Sequence, residues 1–422
     1  MNEKYTICFS LLSLFANDEK SPYRDFDQAL RSIRDRGFNT VRIDSGAGCF
    51  HLPDGTPRPA EVSVKPPFGK YSKIVRQSNV ISLPHIVNLK ERLLELLRAA
   101  RKYEIKIILS SWMLIHTYWI LDRAYVEPIF SLTAEEKIAY FARELDVVLS
   151  FVREAGYIDR IAFAEILNEF DGLDFCNGYR QQLPEEEAFH IREEHEKAIA
   201  ALRAHHPDVS LAYDSFTAYP QKELIPRNID VLNFHLYYLW NIVKPFENGV
   251  VEPELSEPVI PPETARWLTA EPVTVREILE IVGEFRSVPD WARRVALHSS
   301  VEPCQILSLE KVMTEQLEKD QDLYRENLKK GIDFIVAVRD EVVPRARLVM
   351  GEGVNYCCSN WICAEDRSET YWRILAEQAD LLRERGLDGT VVRTTSDPED
   401  PCWETRKEDM LAINRRFLKG TL

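Results

Sequence analysis

Short runs of β-branched and aromatic residues alternate with stretches of helical periodicity from one end of this chain to the other. Such alternation marks parallel strand–helix units, because neighbouring parallel strands can be joined only by a crossover, usually a helix. Residues 5–12 read as a first strand and 23–36 as a helix, closed by Gly37. A second strand is expected at 38–44, followed by a Pro- and Gly-rich loop and a helix over 86–103. The third strand is placed at 105–111, with a long helix over 134–155 closed by Gly156. Residues 160–167 and 185–205 make the fourth strand and its helix, and 209–213 and 230–237 the fifth and sixth strands. An insertion over 239–309, with room for two short helices, separates these from a helix at 309–340 and a seventh strand at 347–351. The last unit is a helix at 369–385, a strand at 389–393 and a closing helix at 405–417.

Eight units point to an α/β fold: a single (β/α)₈ barrel over residues 1–422, one catalytic domain with long insertions after strands two, three and six. All three insertions then lie on the face of the barrel where the strands end, which is where such barrels carry their sites. A doubly wound open sheet would also alternate, but no Gly-rich phosphate loop follows the first strand. Two domains would need a linker, for which only 239–309 offers room.

With 53 basic against 68 acidic side chains the net charge is −15, a field that repels nucleic acid and anionic membrane surfaces and leaves a neutral sugar unopposed. No apolar run approaches the roughly 20 residues that span a bilayer. Residues 4–16 resemble a short signal peptide, but the barrel needs 5–12 as its first strand, so a cytoplasmic location is expected. The eight scattered cysteines fit reduced thiols there. No strand end offers a His-x-His pair, so neither a metal nor a cofactor is expected.

Strand four runs out through Asn168-Glu169 and strand seven through Gly351-Glu352-Gly353, each placing a glutamate at the catalytic mouth. Glycoside hydrolysis needs such a pair, one carboxylic acid to protonate the leaving oxygen and one carboxylate to attack or to activate water. Glu165 shares strand parity with Glu169 and is its rival, although a carboxylate that deep in a barrel needs a partner such as Arg42. Asp44 and Asp214, near the ends of strands two and five, can touch substrate hydroxyls or cap helices.

These motifs resemble clan A of the glycoside hydrolases, and most closely family 5, the cellulase family. Phe38-Asn39-Thr40-Val41-Arg42-Ile43 is similar to that family's second strand and His235-Leu236-Tyr237 to the end of its sixth. The resemblance implies a retaining hydrolase of β-glycosidic bonds in oligo- or polysaccharides, acting by double displacement, with Glu169 as acid/base and Glu352 as nucleophile. It implies further that Asn168 holds the sugar 2-hydroxyl, that Arg42 and Tyr237 attend Glu352, and that His235 lines the sugar site. Trp112, Trp361 and Trp403 follow barrel strands and are candidate platforms for sugar faces. The chain departs from the family with Phe170 in place of a proline, Ser110-Ser111-Trp112 in place of a histidine after strand three, and Arg393-Thr394-Thr395 in place of a tryptophan after strand eight. The alternative reading is a carbohydrate-binding barrel that has lost turnover.

Overall fold

The computed structural model describes residues 3–73, 81–114, 116–172, 182–239, 265–283, 288–354 and 362–419. In chain order the strands are β1 (Tyr5–Phe9), β2 (Thr40–Asp44), β3 (Glu61–Val64), β4 (His85–Asn88), β5 (Lys106–Ser110), β6 (Ile161–Glu165), β7 (Leu211–Ser215), β8 (Val231–Leu236), β9 (Arg347–Gly353) and β10 (Gly389–Val391). β3 and β4 form a separate antiparallel pair, and the other eight close a parallel barrel in which β10 returns to pair with β1.

Around it lie α1 (Phe26–Asp35), α2 (Leu89–Lys102), α3 (Arg123–Phe130), α4 (Ala134–Glu154), α5 (Glu185–His205), α6 (Val275–Val282), α7 (Val288–Ser299), α8 (Ile306–Lys319), α9 (Gln321–Val342), α10 (Ala364–Arg367), α11 (Glu369–Glu384) and α12 (Lys407–Leu418). The helix starts carry their own stop for unpaired N–H groups. Asn88 caps α2, Ser368 caps α11, and Thr133 with Glu136 forms a reciprocal capping box on α4. No helix among the described residues is long and apolar enough to cross a membrane.

Several expected elements differ. Strand one stops at Phe9, where its register with Arg42 of β2 ends and residues 11–16 fold into a buried turn. The helix expected at 86 begins at Leu89, because 85–88 pair with β3 inside the insertion after β2. The helix expected over 309–340 is two helices broken at Asp320, which leaves helical geometry at φ −102°, ψ 12°.

Along β2 the odd positions Val41 and Ile43 face the helices, and Arg42 and Asp44 point inward. The lower interior is apolar and aromatic, with Tyr5 of β1 and Phe163 of β6 at 6.1 Å between ring centres. Above it the interior turns polar, and there the carboxylates gather.

Candidate active site

Arg42 occupies the barrel axis with no exposed surface, and its guanidinium is shared among four side chains from three other strands and their ends. Nε donates to Glu165 Oε1 at 2.8 Å, and Nη1 to Glu352 Oε1 at 2.8 Å. Nη2 donates to Asn168 Oδ1 and to Asp214 Oδ2, both at 2.9 Å. One face of the guanidinium lies 4.6 Å from the Trp112 ring centre. A buried charge is tolerated only when paired and hydrogen-bonded, and these carboxylates hold Arg42 above its ordinary pKa in spite of burial.

Glu165, the rival to Glu169, is buried beneath the mouth, its other oxygen accepting from Asn233 Nδ2 at 3.3 Å. Burial pushes its carboxyl up to about 7 against the pull of Arg42. Glu169 stands at the mouth, its side chain 13% exposed. The chain reaches it in a left-handed conformation (φ 48°), uncommon for any residue with a Cβ. That turn is pinned by the Glu169 N–H donating to Asp214 Oδ2 at 2.8 Å and by Gly172 N–H donating to the Glu169 carbonyl at 2.9 Å.

Glu352 reaches the same space through an irregularity in β9. Asn233 pairs with Val349 and Phe234 with Met350, but His235 pairs with Glu352, so Gly351 is an extra residue opposite β8. A Cβ on Gly351 would lie 2.4 Å from Asn233 Oδ1, so only glycine fits there. Glu352 Oε2 accepts from the Tyr237 hydroxyl at 2.8 Å. Burial raises the Glu352 carboxyl, while His235 and Arg42 pull it down. Tyr237 sits well above an ordinary phenol, through burial and then the nearby Glu352, and so keeps its proton to donate.

His235 completes the arrangement. Nδ1 lies 2.9 Å from Glu169 Oε1, and Nε2 lies 3.2 Å from Asp214 Oδ1 and 3.4 Å from Glu352 Oε1. Burial alone would lower its pKa, but Asp214 and then Glu352 raise it well above the ordinary histidine value. A protonated ring set among carboxylates results, hydrogen-bonded through Nδ1 to Glu169, with Nε2 also 3.5 Å from Arg42 Nη1. One ligand atom each from Glu169, His235 and Glu352 lie within 4.8 Å of one another, a spacing that a metal ion could use. The geometry already meets the carboxylate charge without one: Arg42 neutralises Glu352, and both His235 nitrogens face carboxylates. A second such group, Asp366, Asp400 and Cys402, surrounds the Arg393 guanidinium in place of a cation.

The structure therefore brings together Arg42, Asn168, Glu169, His235, Tyr237 and Glu352. Asn168 is buried, and its Nδ2 has no hydrogen-bond partner. Trp112 lies beneath the group, 1% exposed, with one ring face on Arg42 and its edge on Phe9. Trp403 is not at the site, which corrects the expectation for it. It stacks on Phe38, below the start of β2, lies under the Arg36 guanidinium and donates Nε1 to Ser32 Oγ at 2.9 Å on α1. Where the eighth strand was expected to continue to residue 393, it ends at Val391, and Arg393 is buried among Glu365 and Asp400. Trp361 lies outside the described residues.

Sequence reasoning offered Asp214 as a contact for substrate hydroxyls or a helix cap and missed its part in the charge network. Asp214 neither caps a helix nor faces solvent, but accepts from Arg42 and the Glu169 backbone through Oδ2 and lies 3.2 Å from His235 Nε2 through Oδ1, and His235 and then Arg42 hold it below the usual carboxylate range against its burial. Its inward parity with Arg42-bound Glu165 on the adjacent strand was the available signal.

A family model described as sugar-binding cellulase-like matches residues 8–250, more than half of the chain. No curated protein matches in sequence. Among solved structures, a candidate glycoside hydrolase from Parabacteroides distasonis ATCC 8503 aligns over 99% of this chain and 94% of its own, at 15% identity and a TM-score of 0.62, which shows a shared fold. A broad-specificity endoglucanase from Clostridium acetobutylicum aligns over 97% of both chains at 11% identity and a TM-score of 0.49. An endo-β-1,4-mannanase from Thermotoga petrophila covers 98% of this chain and 77% of that one, at 14% identity and a TM-score of 0.48.

Proposed function

The chain belongs to the sugar-binding cellulase-like family, and on that premise we propose that it is a retaining glycoside hydrolase, its 422 residues acting as one catalytic barrel. The observation that carries this reading is the convergence of Glu169 and Glu352 oxygens within 4.8 Å, from strands on different sides of the barrel. Retaining enzymes hold their carboxyl groups about 5–5.5 Å apart, whereas inverting enzymes leave room for a water between them.

Glu352 attacks the anomeric carbon and forms a glycosyl ester, while the bond to the leaving oxygen breaks and that oxygen takes a proton from Glu169. Water then attacks the anomeric carbon of that ester, giving its proton to Glu169 as the bond from that carbon to Glu352 breaks and frees the carboxylate. Arg42 and Tyr237 hold the two Glu352 oxygens, which fixes the carboxylate for attack and receives its charge on departure. The unpartnered Nδ2 of Asn168 is a donor for the sugar 2-hydroxyl, whose hydrogen bond strengthens in the transition state. His235 orients Glu169. The substrate is a β-linked oligo- or polysaccharide, uncharged and so compatible with a chain of net charge −15.

Glu352→Gln is expected to abolish turnover and leave sugar binding largely intact. Glu169→Ala is expected to slow substrates with poor leaving groups most, with partial recovery by azide on activated ones. NMR of the first-formed product should show retention; inversion, or full activity in both variants, removes these residues from the assigned roles. The locked Arg393, where an aromatic platform stands in the family the sequence resembles, favours a second reading as a sugar-binding barrel without turnover. Saturable oligosaccharide binding with no release of reducing ends would establish that one.

A further inference from the structure

Three insertions leave the mouth of the barrel, and they meet each other. The insertion after β2 sends Phe68–Tyr71 toward the insertion after β8, where the Tyr71 hydroxyl donates to Glu277 Oε1 on α6 at 2.6 Å. Lys70 Nζ lies 3.0 Å from the same oxygen, and Ile281 of α6 packs against Gly69. The segment after β5 fills the space between them. Trp119 has Phe68 on one side at 5.0 Å between ring centres and Trp291 of α7 on another at 5.3 Å. His116 lies 4.7 Å from Trp119 and 5.3 Å from Trp291, and Lys65 N–H donates to Ile120 O at 2.9 Å.

The roots of these segments decide what the contact means. Around the ring the order is β1, β2, β5, β6, β7, β8, β9, β10, so β2 and β8 stand four places apart, on opposed sides. A route around the outside would have to pass three whole strand–helix units. Loops rooted on opposed strands meet by crossing the mouth. Phe68 and Ile278 are fully buried and Trp119 is 5% exposed, so the crossing has a packed core of its own and is not a touch of side-chain tips.

We propose that this crossing closes one end of the substrate cleft, so that the site takes the end of a β-linked oligosaccharide, or a short glycoside, and releases a single terminal unit. The inference rests on the glycosidase reading and deepens it. A polymer bound mid-chain needs a trough open at both ends, and a buried span from the β2 side to the β8 side obstructs one of them.

The test uses the full chain with β-gluco-, β-manno- and β-xylo-oligosaccharides of two to six units, labelled at the reducing end, and the matching polymers. Every oligosaccharide that is cut should yield one terminal product first, with no fall in polymer viscosity. The triple variant Phe68→Ala/Tyr71→Phe/Glu277→Gln removes the clasp together with the buried ring beneath it, and circular dichroism checks that the barrel stays folded. It should raise the share of internal cuts at least tenfold and leave hydrolysis of aryl β-monoglycosides within twofold. Internal cutting by the unaltered protein, or an unchanged product pattern in the clasp variant, overturns the closed end and leaves the glycosidase reading standing. No product from any sugar overturns that reading and this inference with it.

Discussion

Asp214 shows how a single buried carboxylate can set the state of a site without facing substrate. Four carboxylates (Glu165, Glu169, Asp214 and Glu352) share two cations, Arg42 and the imidazolium of His235. Asp214 is the largest influence raising His235 and also holds the strained backbone of Glu169. Asp214→Asn removes that charge and keeps the shape. The His235 pKa should then fall, read directly by NMR titration of the imidazole, and the basic limb of the pH–rate profile should move to lower pH with it. Loosening of Glu169 should cost about 10²-fold in kcat, with KM changed little. An imidazole that titrates as before would mean that Glu352 and Glu169 suffice to keep it protonated.

At the scale of the element, the geometry of the proposed catalytic pair depends on one irregularity between two strands. In an unbroken β9, inward Gly351 would be followed by an outward Glu352, because side chains alternate. The extra residue opposite Phe234–His235 turns Glu352 into the barrel, and Asn233 occupies the space where a side chain on residue 351 would sit. Gly351→Ala is expected to destabilise the fold by about 1–3 kcal/mol through overpacking, measured by denaturant melts. It should also reduce kcat by displacing Glu352, while Asn233→Ala in the same chain should restore part of both by emptying the space. The chain leaves this strand through Val354 at φ 76°, a conformation unfavourable for a β-branched residue. A left-handed residue thus follows each of the two strands, Glu169 four residues beyond β6 and Val354 directly after β9.

The whole molecule carries its buried titratable groups unevenly, and that predicts its response to pH. Burial raises Asp44 to about 6 and Glu165, Asp171 and Glu399 to about 7, and lowers His116 and His195 to about 3. A carboxyl raised in the folded state binds its proton more readily there than in the unfolded chain, so it stabilises the fold as pH falls from about 7 toward its ordinary value. A lowered histidine acts oppositely: below its ordinary value the unfolded chain takes the proton, and stability is lost down to about 3. Above the ordinary histidine value the raised carboxyls act together with His235, which is itself raised and so also stabilises the fold as pH falls; below it the carboxyl gains oppose the losses at His116 and His195 until the carboxyls are saturated. The thermal midpoint should therefore rise as pH is lowered from 8 to about 5 and fall below about 4, where the histidines and the ion-paired carboxylates both work against the fold. A midpoint that falls between pH 8 and 6 would contradict these assignments.

The alternation of strand and helix patterns determined the barrel, because parallel strands admit few other closures, and α5 follows its expected boundaries at both ends. Polar residues at inward strand ends were equally legible: Arg42, Asn168, Glu169, His235, Tyr237 and Glu352 were named from motif and position, and they converge. What the sequence could not decide depends on contacts between distant segments. Strand lengths at β1 and β10 follow from where a neighbour's register ends and where Arg393 finds its carboxylates. Trp403 follows a barrel strand, as a sugar platform would, but the chain carries it down the outside to α1, a path that no local pattern encodes. The inward turn of Glu352 needs the misregister with β8, and the role of Asp214 needs the charges of three other strands. The crossing of the mouth by loops from opposed strands is decided only by closure of the ring, which sets residues 71 and 277 within one hydrogen bond of each other.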